Sequence, residues 1–138
     1  KVLLYDNFNK ISNDTDLLLI NTYGEALKFY QISKCVFIGK SLVDSLKKDS
    51  GQNPIEAARL GCTILHGPNV SNFIEVYEFL KSLNIAYKVN NLDELSQSLV
   101  AELEKNKDKN QDILRKIENY GSSTLNNVIG EIKIYINN

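Results

Sequence analysis

The chain has 138 residues, which suits one domain rather than two. Charged residues make up 24% of it, the formal net charge is −1 and no basic arm is present, so composition gives no reason to expect a nucleic-acid partner. The longest strongly apolar run, Leu17–Ile20, is far too short to span a membrane, and no signal peptide is visible.

Short apolar runs alternate with helical stripes along the chain. They predict strands at Val2–Tyr5, Leu17–Ile20, Cys35–Ile38, 63–65 and 86–89. Helices are predicted at 25–33, 54–60, 72–83, 92–103 and 112–136, the last in two pieces broken near Gly121. Polar connections are predicted at 6–16, 40–52 and 105–110. This alternation predicts an α/β fold, with a Rossmann-like parallel sheet and helices on both faces, in a single domain over residues 1–138.

Four helix starts share one pattern, a capping Thr or Asn followed three residues later by Glu. The pairs are Thr22 with Glu25, Asn53 with Glu56, Asn72 with Glu75, and Asn91 with Glu94. Satisfying free backbone N–H groups accounts for each pattern by itself. Helix N-termini also bind anions, and helices that follow parallel strands aim these ends at one edge of the sheet. We therefore expect an anionic ligand at that edge.

Glycines follow two of the predicted strands. Gly39-Lys40-Ser41 follows the third strand and Gly67-Pro68 the fourth, and neither segment forms a dinucleotide fingerprint or a P-loop. Each glycine suits either a tight turn or a close approach of the backbone to a ligand. Lys40 is either a solvated lysine or a cation for an anionic ligand.

Cys35 and Cys62 each lie in an apolar run without metal-ligand spacing. We expect both to be buried free thiols in a reducing compartment. The single histidine, His66, is expected to be structural, because it has no partner motif. We expect neither a metal nor a cofactor.

The order of these segments resembles the C-terminal half of the bacterial 3-deoxy-D-manno-octulosonic acid (Kdo) transferases. That family carries Asp-Thr-Met-Gly-Glu, Phe-Val-Gly-Gly-Ser-Leu, Gly-His-Asn-Pro-Leu-Glu-Pro and Gly-Pro-His segments, with Asn-Phe after the last. The matching segments here are residues 21–25, 37–42, 51–57 and 67–68, followed by Asn72-Phe73. This chain departs from the family at Asn21, Lys40, Gln52 and Ala57.

The resemblance implies half of a GT-B glycosyltransferase, the Rossmann-like domain that binds the nucleotide sugar CMP-Kdo. An N-terminal domain, absent from this chain, would bind the lipid A precursor, supply the catalytic base and attach to the cytoplasmic side of the bacterial inner membrane. The full protein would act in lipopolysaccharide biosynthesis. We expect these 138 residues to be soluble, to hold no catalytic residue and to be inactive alone.

The resemblance also implies a set of donor-binding residues, when the family's motifs are carried over position by position. The set is Thr22, Tyr23, Gly24, Glu25, Gly39, Lys40, Ser41, Gln52, Asn53, Glu56, Gly67 and Asn72. The carboxylate of Glu56 would accept hydrogen bonds from the ribose hydroxyl groups. Gln52 stands where the family has histidine, so it can donate a hydrogen bond but cannot carry a proton.

Three alternatives remain open from the sequence. The chain could serve another GT-B glycosyltransferase that uses a UDP-sugar. It could be a free-standing flavodoxin-like binding module. It could be an interaction module that uses the apolar stripe of its helical tail, residues 112–136.

Overall fold

A computed structural model describes residues 1–5, 11–106 and 110–136. In these ranges strands and helices follow one another as β1 (Val2–Tyr5), β2 (Leu17–Ile20), α1 (Ala26–Ile32), β3 (Cys35–Ile38), α2 (Ile55–Arg59), β4 (Thr63–His66), α3 (Ile74–Ser82), β5 (Ala86–Lys88), α4 (Leu92–Glu104) and α5 (Gln111–Ile136). Short 3-10 segments, Asp44–Asp49 and Ser71–Phe73, precede α2 and α3. The predicted α/β fold is confirmed, whereas parts of the predicted connections, residues 6–10 and 107–109, lie outside the described residues.

The strands form two parallel sheets. β1 pairs with β2, so that Val2 lies opposite Leu17. The second sheet has the order β3-β4-β5, with Ile64 of β4 opposite Ala86 of β5. Parallel pairing is therefore as predicted, but in the part of the chain that the structure describes the expected continuous sheet is divided into two, β1-β2 and β3-β4-β5.

The core is built around β4, whose four residues are all buried. On one face, Ile64 belongs to a cluster with Ala58 of α2, Leu80 of α3 and Ile117 of α5. Side chains alternate across a strand, so Leu65 faces the other side, where α4 packs on β3 and β4. Helices thus cover both faces, and each fully buried Leu or Ile contributes about 1.5–3 kcal/mol.

Helix α2 ends as the sequence predicts. Gly61 has φ +82° and follows the last turn, and the Cys62 N–H donates to the carbonyl of Ala57 at 3.0 Å. This left-handed residue with its backward hydrogen bond is the usual glycine-based end of a helix. It turns the chain directly into β4.

Helix α1 lies against both sheets. The ring of Phe29 on α1 meets Tyr5 of β1 edge-on, with ring centroids 5.2 Å apart. The Cys62 thiol, just before β4, donates to the carbonyl of Tyr30 on α1 at 3.1 Å. On the opposite face of the β1–β2 sheet, Val2 and Leu17 are exposed. Helix α1 therefore covers one face of the small sheet, and the side chains on the other face are exposed in the described part of the chain.

Residues of β3 are less buried than the unbroken apolar run predicts. Ile38 is buried, whereas Cys35, Val36 and Phe37 are only half-buried. The side of β3 away from β4 has no neighbouring strand among the described residues, which accounts for the difference.

Helix α5 runs without interruption for 26 residues, so the predicted break near Gly121 is wrong. A glycine inside a helix costs about 1 kcal/mol relative to alanine, which neighbouring turns can absorb. Ile117 is fully buried, and the ring of Tyr120 stacks on Phe79 of α3 at 4.1 Å. From residue 121 to residue 136 every side chain is exposed. Only the first half of α5 therefore packs on the core.

We predict that the two halves of α5 respond differently to the same truncation. Ile117→Ala should lower the free energy of unfolding by about 2–5 kcal/mol, because it opens a cavity in the core. The control, Ile129→Ala in the exposed half, should change it by less than about 0.5 kcal/mol. Urea denaturation followed by circular dichroism measures both, and equal losses would show that the second half of α5 also packs.

Candidate functional site

One buried hydroxyl group joins the loops that follow β3 and β4. Ser41 Oγ donates to the carbonyl of Ile38 at 2.6 Å and accepts from the Gly67 N–H at 2.8 Å. The Asn69 N–H donates to the Ser41 carbonyl at 2.8 Å. Ser41 is completely buried, so its hydroxyl group positions the two loops and both of its hydrogen bonds are internal.

The two glycines of these loops have different roles. A Cβ on Gly67 would lie 2.2 Å from the Ser41 carbonyl oxygen, so only glycine allows the loops to meet. Gly39 has no atom within 4 Å of the place where its Cβ would stand, and it is exposed. The close approach that Gly67 permits is therefore to the protein itself, whereas the space beside Gly39 is open.

A third segment completes the same surface. Ser50 and Gly51 both have positive φ, at 55° and 66°. Ser50 Oγ lies 2.6 Å from the Ser71 hydroxyl oxygen and accepts from the Asn72 N–H at 2.9 Å. The next residue, Gln52, accepts at its carbonyl from the hydroxyl group of Tyr77 at 3.0 Å. We call the loops 39–42, 50–53 and 67–72 together the carboxyl rim. The first and third follow the carboxyl ends of β3 and β4, and the second leads into α2.

Asn69 is a residue of the carboxyl rim that the sequence did not single out. Its side chain is buried, and its Nδ2 is a buried polar atom without a hydrogen-bond partner in the described part of the chain. Leaving such a donor unsatisfied costs about 1–3 kcal/mol. Because Nδ2 has essentially no accessible surface, this donor faces the protein interior. The resembled family has histidine at the corresponding position of its Gly-Pro-His segment, and that difference was the available signal.

The predicted residues before α1 form a separate group. Thr22 Oγ1 donates to Glu25 at 2.6 Å, and Lys28 Nζ donates to the other carboxylate oxygen at 2.7 Å. These hydrogen bonds, from Lys28 first and then Thr22, lower the pKa of Glu25. Gly24 has φ +80° and Tyr23 is fully exposed. Among the described residues, no hydrogen bond links this group to the carboxyl rim.

One of the four predicted helix caps is confirmed, since Asn91 Oδ1 accepts from the Glu94 N–H at 2.8 Å. The other three predictions are wrong. Asn53 Oδ1 accepts from the Ile55 N–H at 3.0 Å, but Pro54 is the residue at which α2 begins, without a side-chain cap. Helix α1 begins after Glu25 without a side-chain cap, because the Thr22 hydroxyl donates to the carboxylate instead. Helix α3 begins after the Ser71–Phe73 turn, so Asn72 does not cap it.

Lys40 and Glu56 are both accessible. Lys40 has φ 64°, and its Nζ lies 4.0 Å from Asp49 in an exposed ion pair that contributes little stability. Glu56 is exposed on the first turn of α2. Burial and then the charge of Glu56 raise the pKa of Tyr30, which places this carboxylate beside α1. Both side chains are therefore available to a ligand.

The structure thus brings together part of the predicted set. Contacts within the carboxyl rim join the segments that carry Ser41, Gln52, Gly67 and Asn72. Gly39 and Lys40 flank Ser41, and Asn53 and Glu56 follow Gln52 along the chain. Thr22, Tyr23, Gly24 and Glu25 lie in the separate group before α1. The exposed residues of the rim and the adjacent carboxylate of Glu56 suit binding and positioning of a polar ligand.

A cavity of 520 Å³ opens beside the carboxyl rim, between α3 and β5. Its walls include His66, Pro68, Val70, Tyr77, Lys81 and Lys88. The His66 ring lies 4.3 Å from the Tyr77 ring, and its Nδ1 lies 2.7 Å from the Gly67 carbonyl oxygen. Burial lowers the pKa of His66, and the positive charges of Lys88 and Lys81 lower it further. No group of metal-ligating side chains occurs in the described ranges.

Comparison with known proteins follows the resemblance seen in the sequence. The chain is 28% identical over 104 residues to the 3-deoxy-D-manno-octulosonic acid transferase of Haemophilus influenzae, covering 75% of this chain and 23% of that protein. It is 26% identical over 128 residues to the enzyme of the same name from Rickettsia prowazekii, covering 89% of this chain and 27% of that protein. The chain therefore spans about a quarter of the length of these curated relatives. No family model matches it.

A solved structure has the same fold. The crystal structure of the C-terminal CMP-Kdo binding domain of WaaA from Acinetobacter baumannii superposes with a TM-score of 0.71 and 20% sequence identity. The match covers 84% of this chain and 60% of that one. The predicted resemblance and the predicted GT-B domain fold are both confirmed.

We predict that the two rim glycines differ sharply in tolerance. Gly67→Ala should lower the free energy of unfolding by about 1–3 kcal/mol or more, because the new methyl group overlaps the backbone of Ser41. Gly39→Ala should change it by less than about 0.5 kcal/mol. Thermal and urea denaturation of both variants provide the comparison, and a harmless Gly67→Ala would contradict the close contact of the loops.

We also predict a pH dependence of stability that comes from His66. Its pKa is lowered from the usual 6.5, so below pH 6.5 the unfolded chain binds a proton that the folded chain does not. The free energy of unfolding should therefore fall as the pH drops from 7.5 to 5.5, and the fall should be smaller in His66→Gln. Urea denaturation at the two pH values measures this. An identical fall in both proteins would assign it to other groups.

Proposed function

We propose that this chain is the donor-binding domain of a glycosyltransferase that transfers Kdo from CMP-Kdo to a lipid A precursor in lipopolysaccharide biosynthesis. One observation carries the proposal. Relatives named Kdo transferase match the chain in sequence, and a CMP-Kdo binding domain matches it in fold. Two of the segments that carry the sequence resemblance, 37–42 and 67–68, are joined by the hydrogen bond between Gly67 and Ser41.

The carboxyl rim suits the binding of a nucleotide. In open parallel sheets, ligands bind outside the carboxyl ends of the strands, which is where the loops after β3 and β4 meet. Glu56 is exposed, and its carboxylate can accept hydrogen bonds from ribose hydroxyl groups. We propose that Glu56, with Gly39, Lys40, Gln52 and Asn53, contacts the donor.

The proposed role of this domain in catalysis is binding and positioning. Transfer of the sugar breaks the bond between the anomeric carbon and the phosphate oxygen, and forms a bond from that carbon to the acceptor hydroxyl oxygen. Donors that stabilise the departing CMP phosphate lower the barrier through charge stabilisation and orientation. The base that accepts the proton of the acceptor hydroxyl group would come from another domain, as would binding of the lipid A precursor and attachment to the inner membrane.

One structural finding bears on the membrane. No helix among the described residues is long and apolar enough to cross a bilayer.

We predict that the chain binds CMP through the carboxyl rim. Titration followed by amide NMR should shift the signals of Ser41, Asn53 and Gly67, and UDP should shift them less. Glu56→Gln should weaken CMP binding about tenfold, because a hydrogen bond to a charged group is lost. The matched control, Glu75→Gln on the first turn of α3, should bind as the parent does.

Two outcomes would contradict this function, and a third would contradict the role of Glu56. A response to UDP with none to CMP would favour a glycosyltransferase that uses a UDP-sugar. No response to either nucleotide would favour a binding module without a transferase role. Equal binding by the parent and Glu56→Gln would remove Glu56 from the site.

A further inference from the structure

The cavity between α3 and β5 lies next to the carboxyl rim, yet none of the predicted donor-binding residues lines it. Its volume of 520 Å³ is within the usual range for pockets that hold small molecules, about 300–1,000 Å³. Residues 67–70 of the rim also form a wall of the cavity, because Gly67 and Asn69 contact Ser41 while Pro68 and Val70 line the cavity.

His66 presents an acceptor atom to this cavity. A carbonyl oxygen can only accept, so the 2.7 Å contact with Gly67 requires the proton of neutral His66 to be on Nδ1. The other ring nitrogen, Nε2, then carries a lone pair. Among the described residues, Asn69 Nδ2 is the only fully buried side-chain nitrogen or oxygen without a partner, so Nε2 is not sealed inside the core. His66 is otherwise 7% exposed, and the space it can reach is the cavity.

The charges around the cavity favour an anion. Lys81 and Lys88 both line it, and both are close enough to His66 to oppose its protonation. Glu78 lies 3.8 Å from Lys81 and offsets that charge. No salt bridge is made by Lys88 within the described ranges, so its ammonium group is available for a ligand.

The walls of the cavity restrict the shape of the ligand. Pro68, Val70 and Ile74 supply apolar surface, and the ring of Tyr77 stands against that of His66. The Tyr77 hydroxyl group is committed to the carbonyl of Gln52 at 3.0 Å. Besides Glu78, Lys81 and Asn84, which also line the cavity, it offers a ligand an imidazole acceptor and the ammonium donor of Lys88. These two groups match a hydroxyl group and a carboxylate on one small molecule.

We propose that this cavity is a binding site for a hydroxylated carboxylate, with a ligand hydroxyl group donating to His66 Nε2 and the carboxylate paired with Lys88. Because Pro68 and Val70 belong to the rim and also line the cavity, one nucleotide sugar can place its nucleotide on the rim and its acidic sugar in the cavity. The choice of Kdo as that sugar rests on the proposed function. The site itself rests on the cavity and its two polar groups.

The test is an NMR titration of the ¹⁵N-labelled chain with free Kdo. As the chain has one histidine, its Nε2 and Hε1 signals report on a single ring. Kdo should shift these signals together with the amides of Val70 and Lys88, and the uncharged sugar mannose should not. No shift at His66 with Kdo, or an equal shift with mannose, would overturn the proposal.

Two lysine variants separate a specific contact from general attraction. Lys88→Gln should weaken Kdo binding about fivefold or more, because it removes the charge-assisted contact. Lys116→Gln, which removes one exposed charge on α5, should bind Kdo as the parent does. Equal weakening in both variants, or none in Lys88→Gln, would contradict the assignment of Lys88.

The same titrations distinguish this inference from the proposed function. CMP should still shift the rim signals of Ser41 and Asn53 in Lys88→Gln. Binding of Kdo without binding of CMP would support the cavity and reject the nucleotide-sugar function. Binding of CMP without any response to Kdo at His66 would leave the function standing and overturn the cavity.

Discussion

The contact between Gly67 and Ser41 is the constraint on which the candidate site depends. Two loops that follow neighbouring parallel strands come so close that a single added methyl group would overlap the backbone. The buried Ser41 hydroxyl group then joins the end of β3 to the start of the loop that follows β4. Ser50 and Asn69 then form hydrogen bonds with these loops. The loop after β4, held in this way, also forms one wall of the cavity beside His66.

The sequence predicted the strands well because they are short, uninterrupted apolar runs bounded by glycine and polar residues. The end of α2 followed in the same way, since Gly61 adopts the left-handed conformation that other residues disfavour. Helix α5 was predicted less well, because the cost of Gly121 is local and small whereas continuity of a helix depends on all of its turns. The division of the sheet was not predictable from periodicity, since a strand's pattern does not identify its neighbour.

The candidate site could be predicted only in part, for a related reason. Spacing identified Thr22 and Glu25 as a pair, but it did not reveal that the hydroxyl group would donate to the carboxylate rather than cap the helix. Asn91 made the expected local hydrogen bond because its partner is three residues away. Ser50 and Asn69 were missed because their importance comes from segments distant in sequence.

The divided sheet has a consequence for how this polypeptide behaves in solution. The Leu17 N–H donates to the carbonyl of Lys1, so in a parallel ladder the backbone groups of Val2 and Leu4 face away from β2. Among the described residues no strand pairs with this side of β1, and the aliphatic side chains on one face of its sheet are exposed, so this edge is a template for pairing between molecules.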